Sequence, residues 1–291
     1  MTREDNTVAA AEPSFQFRIA PRFTDLDTWR HVNNSAIYQF HIEARMQAYL
    51  DRFGGDAWYS DTVWLRPVRT MTHYQRVTHY GADVECHVRL LAKATDSYRV
   101  RTELFQHGHQ VGVQECVMGA FDHRGRQPLP AAMLAGLGAP QSGALEPEPP
   151  SPVADAPETL DGYPIHRSLT ARYADLDVDQ LRAERASARY MEQARFGTIG
   201  KLDFGGLGIL IAALDMSFHD HRPAVGAVTL ATGVSRVGNS SFNVMTTAMS
   251  ELGVHTTADS VMVMIDQSSG RPTPIPDSLR AQLREMMVSG R

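Results

Sequence analysis

The sequence predicts an α+β protein built from two copies of one unit, each with long strands, short turns and a single long helix. Three observations predict it. A strongly apolar helical stretch, residues 34–52, is followed by four β-rich segments. A Pro-rich segment then interrupts the chain. Beyond it the opening motif returns: adding 150 carries Arg22 onto Arg172, Phe23 onto Tyr173 and Asp25-Leu26-Asp27 onto Asp175-Leu176-Asp177, and the same offset carries Ala44-Arg45 onto Ala194-Arg195.

Size and composition agree with this plan. A chain of 291 residues holds one large domain or two of ordinary size. Hydrophobic residues at 43% and charged ones at 21% are those of a soluble globular protein. A net charge of −5, with no basic block, argues against a nucleic-acid surface. The apolar runs are too short for a membrane span. Residues 1–13 carry Arg3, Glu4 and Asp5 and no apolar core, so they read as a loose, disordered tail and not a secretory signal. Cys86 and Cys116 have neither disulfide nor metal spacing. They read as small buried hydrophobes of a cytoplasmic protein.

From Ser14 to Arg22, Phe15, Phe17 and Ile19 alternate with Gln16 and Arg18, the pattern of a half-buried strand closed by Asp25 and Asp27. In the helix, Ile37, Phe40, Ala44 and Ala48 fall at helical spacing, and Tyr38, Ile42, Met46 and Tyr49 fill the flank. A helix this apolar around its girth needs cover on most sides, which a strongly curved sheet supplies. The strand segments are 63–72, one within 78–94, 97–107 and 111–121, the last two separated by a turn at Gly108.

Between Gly136 and Pro164 six prolines occur among Gly, Ser, Ala and acids, the composition of an extended linker. The expected organisation is therefore a tail (1–13), an N-terminal domain (14–135), a linker (136–163) and a C-terminal domain (164–291). The two copies also end alike: Asp122 to Pro130 echoes Asp266 to Pro276. They differ at the motif, where His31-Val-Asn-Asn34 becomes Leu181-Arg-Ala-Glu184 and Tyr38 becomes Ala188. This reads as one working site and one decayed or modified site, with two live sites left open because Asp177 survives.

The order of strand end, acid and helix N-terminus places a carboxylate beside free backbone N–H groups. Such a pair can attack a carbonyl carbon while holding the oxygen that becomes negative. The signature Arg22-Phe23-x-Asp25-x-Asp27-x-x-x-His31-Val32-Asn33-Asn34-x-x-x-Tyr38, continued by Glu43-Ala44-Arg45, resembles that of the hot-dog thioesterases of the 4-hydroxybenzoyl-CoA thioesterase-like class, including acyl-ACP thioesterases. Leu65-Arg66-Pro67-Val68, Gly81-Ala82-Asp83-Val84 and the tail Gly270-Arg271-Pro272-x-Pro274-Ile275-Pro276 resemble other family segments. The resemblance implies a double hot-dog, in which each repeat is a curved antiparallel sheet wrapped around a long central helix and the two copies pair as an internal pseudo-dimer. It implies an acyl-CoA or acyl-carrier-protein thioester bound along the seam between copies, with no cofactor, no metal, no nucleic acid and no membrane; a further homodimer of chains stays open. Two positions depart from the family: Arg30 where many members have Gly, and Trp29 where the acyl-ACP enzymes have Asn.

Asp27 is the expected catalytic acid, as nucleophile or as general base to a water. An Asp with a pKa of about 4 is ionised at neutral pH without tuning. The alternative is an Asp that caps a turn. Asn34 is expected to give its backbone N–H to the thioester oxygen, and His31 to orient Asp27 or touch substrate, or simply to hold the loop. Asn33, Tyr38, Glu43 and Ser241, the last from the opposite copy, are the expected substrate-binding residues. The Asn side chains are equally suited to capping, Glu43 to a surface or Arg45-paired role, and Asp25 to a structural bond with Arg22. No Gly-x-Ser-x-Gly elbow or phosphate-binding loop is present, and His219 and His221 read as loop residues. The expected function is acyl-CoA hydrolysis. The rival readings are a hot-dog hydratase or dehydratase, and a non-catalytic acyl-thioester-binding module.

Overall fold

The computed structural model describes residues 15–54, 63–138, 156–224 and 226–289. The expected tail and most of the expected linker lie outside them. In chain order the first copy comprises β1 (Phe15–Ile19), α1 (Asn34–Phe53), β2 (Trp64–Tyr74), β3 (Val84–Lys93), β4 (Ser97–Gln106), β5 (His109–Asp122), the short β6 (Gly125–Gln127) and α2 (Ala131–Gly136). The second comprises β7 (Ile165–Thr170), α3 (Glu184–Ile199), β8 (Gly208–Phe218), β9 (Ala227–Val237), β10 (Ser241–Ser250), β11 (Gly253–Ile265) and α4 (Asp277–Glu285).

All eleven strands form one antiparallel sheet in the order β1-β3-β4-β5-β2-β8-β11-β10-β9-β7, with β6 on β5. The order is a palindrome of the two copies. Its centre is the β2–β8 ladder, where Met71 faces Asp215, positions that match between copies at an offset of 144. A local two-fold axis therefore passes through this pair. Whatever β2 does for the second copy, β8 is placed to do for the first.

Each half of the sheet curls over its own helix. Ile37, Phe40 and Ala44 of α1 sit in a core with Val84, Cys86, Val88, Val100, Leu104 and Cys116. Both cysteines are free and buried there. Met191 and Ala194 of α3 pack against Leu214, Met216 and Leu230. Gly54, at φ +82°, ends α1 in a conformation that side chains resist.

Three local differences from the sequence reading have physical causes. β1 ends at Ile19, before Pro21, which has no N–H to continue a ladder. Asp25 then lies in a single 3-10 turn, Phe23–Asp25, and Asp27 in the loop after it, so neither closes the strand. The unforeseen α4 sends Leu279 and Leu283, one helical turn apart, into a core with Val234, Phe242 and Ile275. Burying each leucine stabilises that end of the sheet by about 1.5–3 kcal/mol. Among the described residues no helix is long and apolar enough to cross a membrane.

Candidate active site

The two motif loops share one geometry. In the first, Asp27 N–H bonds His31 O at 2.8 Å, and Asp27 Oδ1 accepts the N–H groups of Trp29 (2.8 Å) and His31 (3.0 Å). In the second, Asp177 N–H bonds Leu181 O at 2.9 Å, and Asp177 Oδ1 accepts from Asp179 (3.0 Å) and Leu181 (3.2 Å). Arg30 and Gln180 hold matching left-handed positions, at φ +65° and +58°. Glycine reaches that region without steric cost; here Arg30 and Gln180 hold it with full side chains. Asp25 and Asp175 anchor the loops. Burial pushes Asp25 upward, but the Arg22 guanidinium (2.8 Å) and Arg22 N–H (2.8 Å) outweigh it and hold the carboxyl below its usual range. Asp25 makes the bond to Arg22 expected of it.

The loops differ in what meets the acid from across the seam. Arg66 of β2 donates to both Asp177 and Asp179. Its side chain is 8% exposed, so two carboxylates hold one buried cation. Burial is the main cause that raises the pKa of Asp179; Asp177 adds to it and Arg66 opposes it. The two-fold counterpart of Arg66 is Leu210, which carries no charge. Among the described residues Asp27 Oδ2 has no hydrogen-bond partner.

The helix N-termini differ too. Asn33 caps α1: its Oδ1 accepts Ser35 N–H at 2.7 Å and Ser35 Oγ–H at 2.8 Å. Its oxygen is thus used for capping, the alternative role named for it. The backbone N–H of Asn34, first residue of α1, has no acceptor among the described residues. Its side chain accepts Arg195 Nη2–H of α3 at 3.2 Å. At the matching place in α3, Glu184 takes Arg45 Nη2–H on both oxygens (2.8 and 2.7 Å). Arg45 thus pairs with Glu184 across the copies and not with Glu43.

Tyr38, expected at a substrate surface, is instead fully buried between the copies, where its hydroxyl meets Glu184 Oε1 (2.8 Å) and Thr70 Oγ1 (2.9 Å). Its size and apolar body suit the interface core, which accounts for the difference. Glu43 is exposed and accepts Gln47 Nε2–H at 2.8 Å. His31 meets His79 edge to face, with ring centroids 5.5 Å apart. Ser241 opens β10 opposite Val263, and its carbonyl accepts Gly238 N–H. His219 and His221 go to different partners, His219 to Thr257 Oγ1 and His221 to the rings of Phe121 and Phe218.

A cavity of about 720 Å³ lies on the seam beside the second motif. Phe40, Ile42, Met46, Leu65, Tyr98 and Met118 give it apolar walls. Arg66, Asp177, Asp179, Glu184 and Glu43 form polar wall. Asp27, His31 and Asn34 do not line it. Sequence reading missed Arg66 and Glu184; a lone charged residue in the apolar Trp64-Leu65-Arg66-Pro67-Val68 run was the available signal.

No protein-family profile and no curated protein sequence matches the chain. Solved structures do. The 12:0-ACP thioesterase from Umbellularia californica superposes with a TM-score of 0.73 at 14% identity, covering 86% of this chain and 94% of that one. A protein assigned as an oleoyl thioesterase from Lactobacillus plantarum gives 0.70 at 11% identity, covering 88% and 99%. An acyl-ACP thioesterase from Bacteroides thetaiotaomicron gives 0.63 at 11% identity, covering 85% and 97%. At these identities the likeness is one of fold, and it spans both copies: the chain is a double hot-dog protein, with the architecture of these thioesterases.

Proposed function

We propose that the protein hydrolyses an acyl thioester at the first motif, with Asp27 as the acid. One observation carries the reading: Asp27 is fixed by two amides on one oxygen and open on the other, in the same loop-and-helix unit as the unpaired Asn34 N–H. The open oxygen attacks the thioester carbonyl, or takes a proton from the water that does. The Asn34 amide at the α1 N-terminus receives the oxygen that becomes negative. A single donor of this kind typically lowers the barrier by about 3 kcal/mol. His31, whose N–H fixes Asp27 Oδ1, positions the acid. The expected acyl-CoA substrate is part of this proposal.

The second seam supports a different role for the second copy. Its apolar-walled cavity is suited to an acyl chain, but Arg66 is paired with Asp177, and Glu184, the first residue of α3, is taken up by Arg45 and Tyr38. We read it as an acyl-binding seam without turnover, which retains the binding-module alternative for that copy alone. Incubation with a panel of acyl-CoAs, following free thiol, tests the reading. Thiol release is the expected result; tight binding without release would leave binding as the whole function, and hydration of an enoyl-CoA without release would favour the hydratase.

A further inference from the structure

The copies diverge most visibly on the surface around the first motif. Three large aromatic residues stand exposed there: Phe23 at 74%, Trp29 at 57% and Tyr80 at 54%. Phe23 and Tyr80 meet edge to face with centroids 6.4 Å apart, and His31 meets His79 in the same manner. The hydrogen bond from Val32 N–H to Thr78 O, 2.9 Å, ties the 75–83 loop to the motif, so these groups share one rim. Arg30 and Arg76 are exposed on the same two loops, and among the described residues neither guanidinium has an ion-pair or hydrogen-bond partner. In a chain of net charge −5, unpaired arginines beside exposed rings need a reason.

The second copy serves as an internal control. There Asp179, Gln180 and Leu181 replace Trp29, Arg30 and His31. Asp220 replaces Arg76, since Arg76 N–H and Asp220 N–H bond the matching carbonyls of Val111 and His255. Asp220 is in turn held by Arg222. Tyr173, the match of Phe23, is 92% exposed and has no ring beside it among the described residues. The exposed rings of Trp29 and Tyr80 and the exposed guanidiniums of Arg30 and Arg76, without partners among the described residues, therefore accompany Asp27; the matching positions of Trp29, Arg30 and Arg76 in the second copy hold Asp179, Gln180 and Asp220.

We infer that this rim binds the 3′-phosphorylated ADP end of coenzyme A. The purine stacks on the exposed faces of Tyr80 and Trp29, and the phosphates accept from Arg30 and Arg76. Aromatic faces stack any base, and arginine forks match phosphate oxygens. An acidic carrier protein would meet the two cations with carboxylates, whereas a nucleotide brings phosphates for the cations and a purine plane for the rings. The nucleotide uses both halves of the rim, so it is the favoured occupant. The inference rests on the proposed thioester chemistry for its biological sense, but binding can be measured apart from turnover.

The test uses Tyr80→Ala and Arg76→Ala, both outside the acid and amide machinery. Adenosine 3′,5′-bisphosphate is titrated into the full chain by calorimetry, and KM and kcat are measured for an acyl-CoA, for the same acyl group on pantetheine, and on a carrier protein. The expected results are binding of the bisphosphate and weakening of it in both variants. KM for acyl-CoA rises at least about five-fold in Tyr80→Ala, with kcat retained and the acyl-pantetheine constants unmoved. Bisphosphate binding without thiol release from any substrate would refute the hydrolase reading and leave this site standing. Absence of bisphosphate binding, equal effects of the variants on both small thioesters, or a rise in KM confined to the carrier-protein substrate would each overturn the assignment.

Discussion

Arg66 of the first copy holds Asp177 of the second across the seam, while the two-fold counterpart of Arg66, Leu210, offers no charge to Asp27. One substitution on each side of an internal symmetry axis thus makes two equivalent acids chemically unequal. The same cation also holds Asp179, which stands where the first copy has Trp29.

Arg66→Leu, which copies the other half, leaves Asp177 and Asp179 side by side without a counter-charge. Removing one partner of a buried ion pair typically costs about 3–5 kcal/mol. These acids are 18% and 17% exposed, so about 2–4 kcal/mol is expected from urea unfolding at pH 7. The loss should shrink as the pH falls, where Asp179, whose pKa burial raises, takes up a proton. A loss below about 1 kcal/mol, or one independent of pH, would show that Arg66 does not neutralise the pair.

Glu184→Ala tests the other inter-copy bridge. It strands the Arg45 guanidinium, whose side chain is 6% exposed, with Gln114 Oε1 as its remaining acceptor. A cost of about 3–5 kcal/mol is expected. Tyr38→Phe removes a hydroxyl but keeps the ring, and about 1 kcal/mol is expected. Equal losses in the two variants would contradict the view that Glu184 serves chiefly as the counter-ion of Arg45.

Acid should loosen the second copy. Burial, reinforced by Arg66 and Arg182, lowers the His221 pKa to about 3. Burial, with Arg182, lowers that of His255 to about 4. His255 Nδ1, His221 Nε2 and both Arg182 Nη atoms have no hydrogen-bond partner, and Asp220 is the carboxylate that acts on all three groups. Unfolded histidine titrates near pH 6.5. Between that value and the folded values the unfolded chain binds more protons. Stability supplied by the neutral rings is therefore complete above about pH 6.5 and is lost as pH falls toward 4 and 3. Urea midpoints should give a slope of about 1–2 kcal/mol per pH unit between pH 6 and 4.5. The double variant His221→Val/His255→Val should reduce that slope, the remainder belonging to the buried His41 of the first copy, whose pKa burial lowers in the same way, and an unchanged slope would refute the assignment.

The first copy's elements were readable because their signals are local. The apolar girth of 34–52 gave α1, and alternation gave β2 to β5 within about three residues at most ends. The repeat of Asp25-Leu26-Asp27 gave the duplication. What was not readable depends on residues far apart in the chain. Glu184 read as the loss of a polar helix opening, yet its partner Arg45 lies 139 residues away and is brought to it by the β2–β8 ladder. Tyr38 looked like a motif residue, but the same pairing buries it. Arg30 stands where the resemblance implied Gly, and its backbone, at φ +65°, is in a region glycine reaches without steric cost. Leu279 and Leu283 did carry a local signal, four residues apart after Pro276.

On the proposed mechanism, hydrolysis belongs to Asp27, with its free oxygen, and not to Asp177, paired with Arg66. Steady-state thiol release from one acyl-CoA, compared between Asp27→Asn and Asp177→Asn, tests it most directly. The expected result is a fall in kcat of at least about a hundred-fold in Asp27→Asn and of less than about five-fold in Asp177→Asn, with both proteins folded by circular dichroism. Full activity in Asp27→Asn, or equal losses in the two, would contradict it.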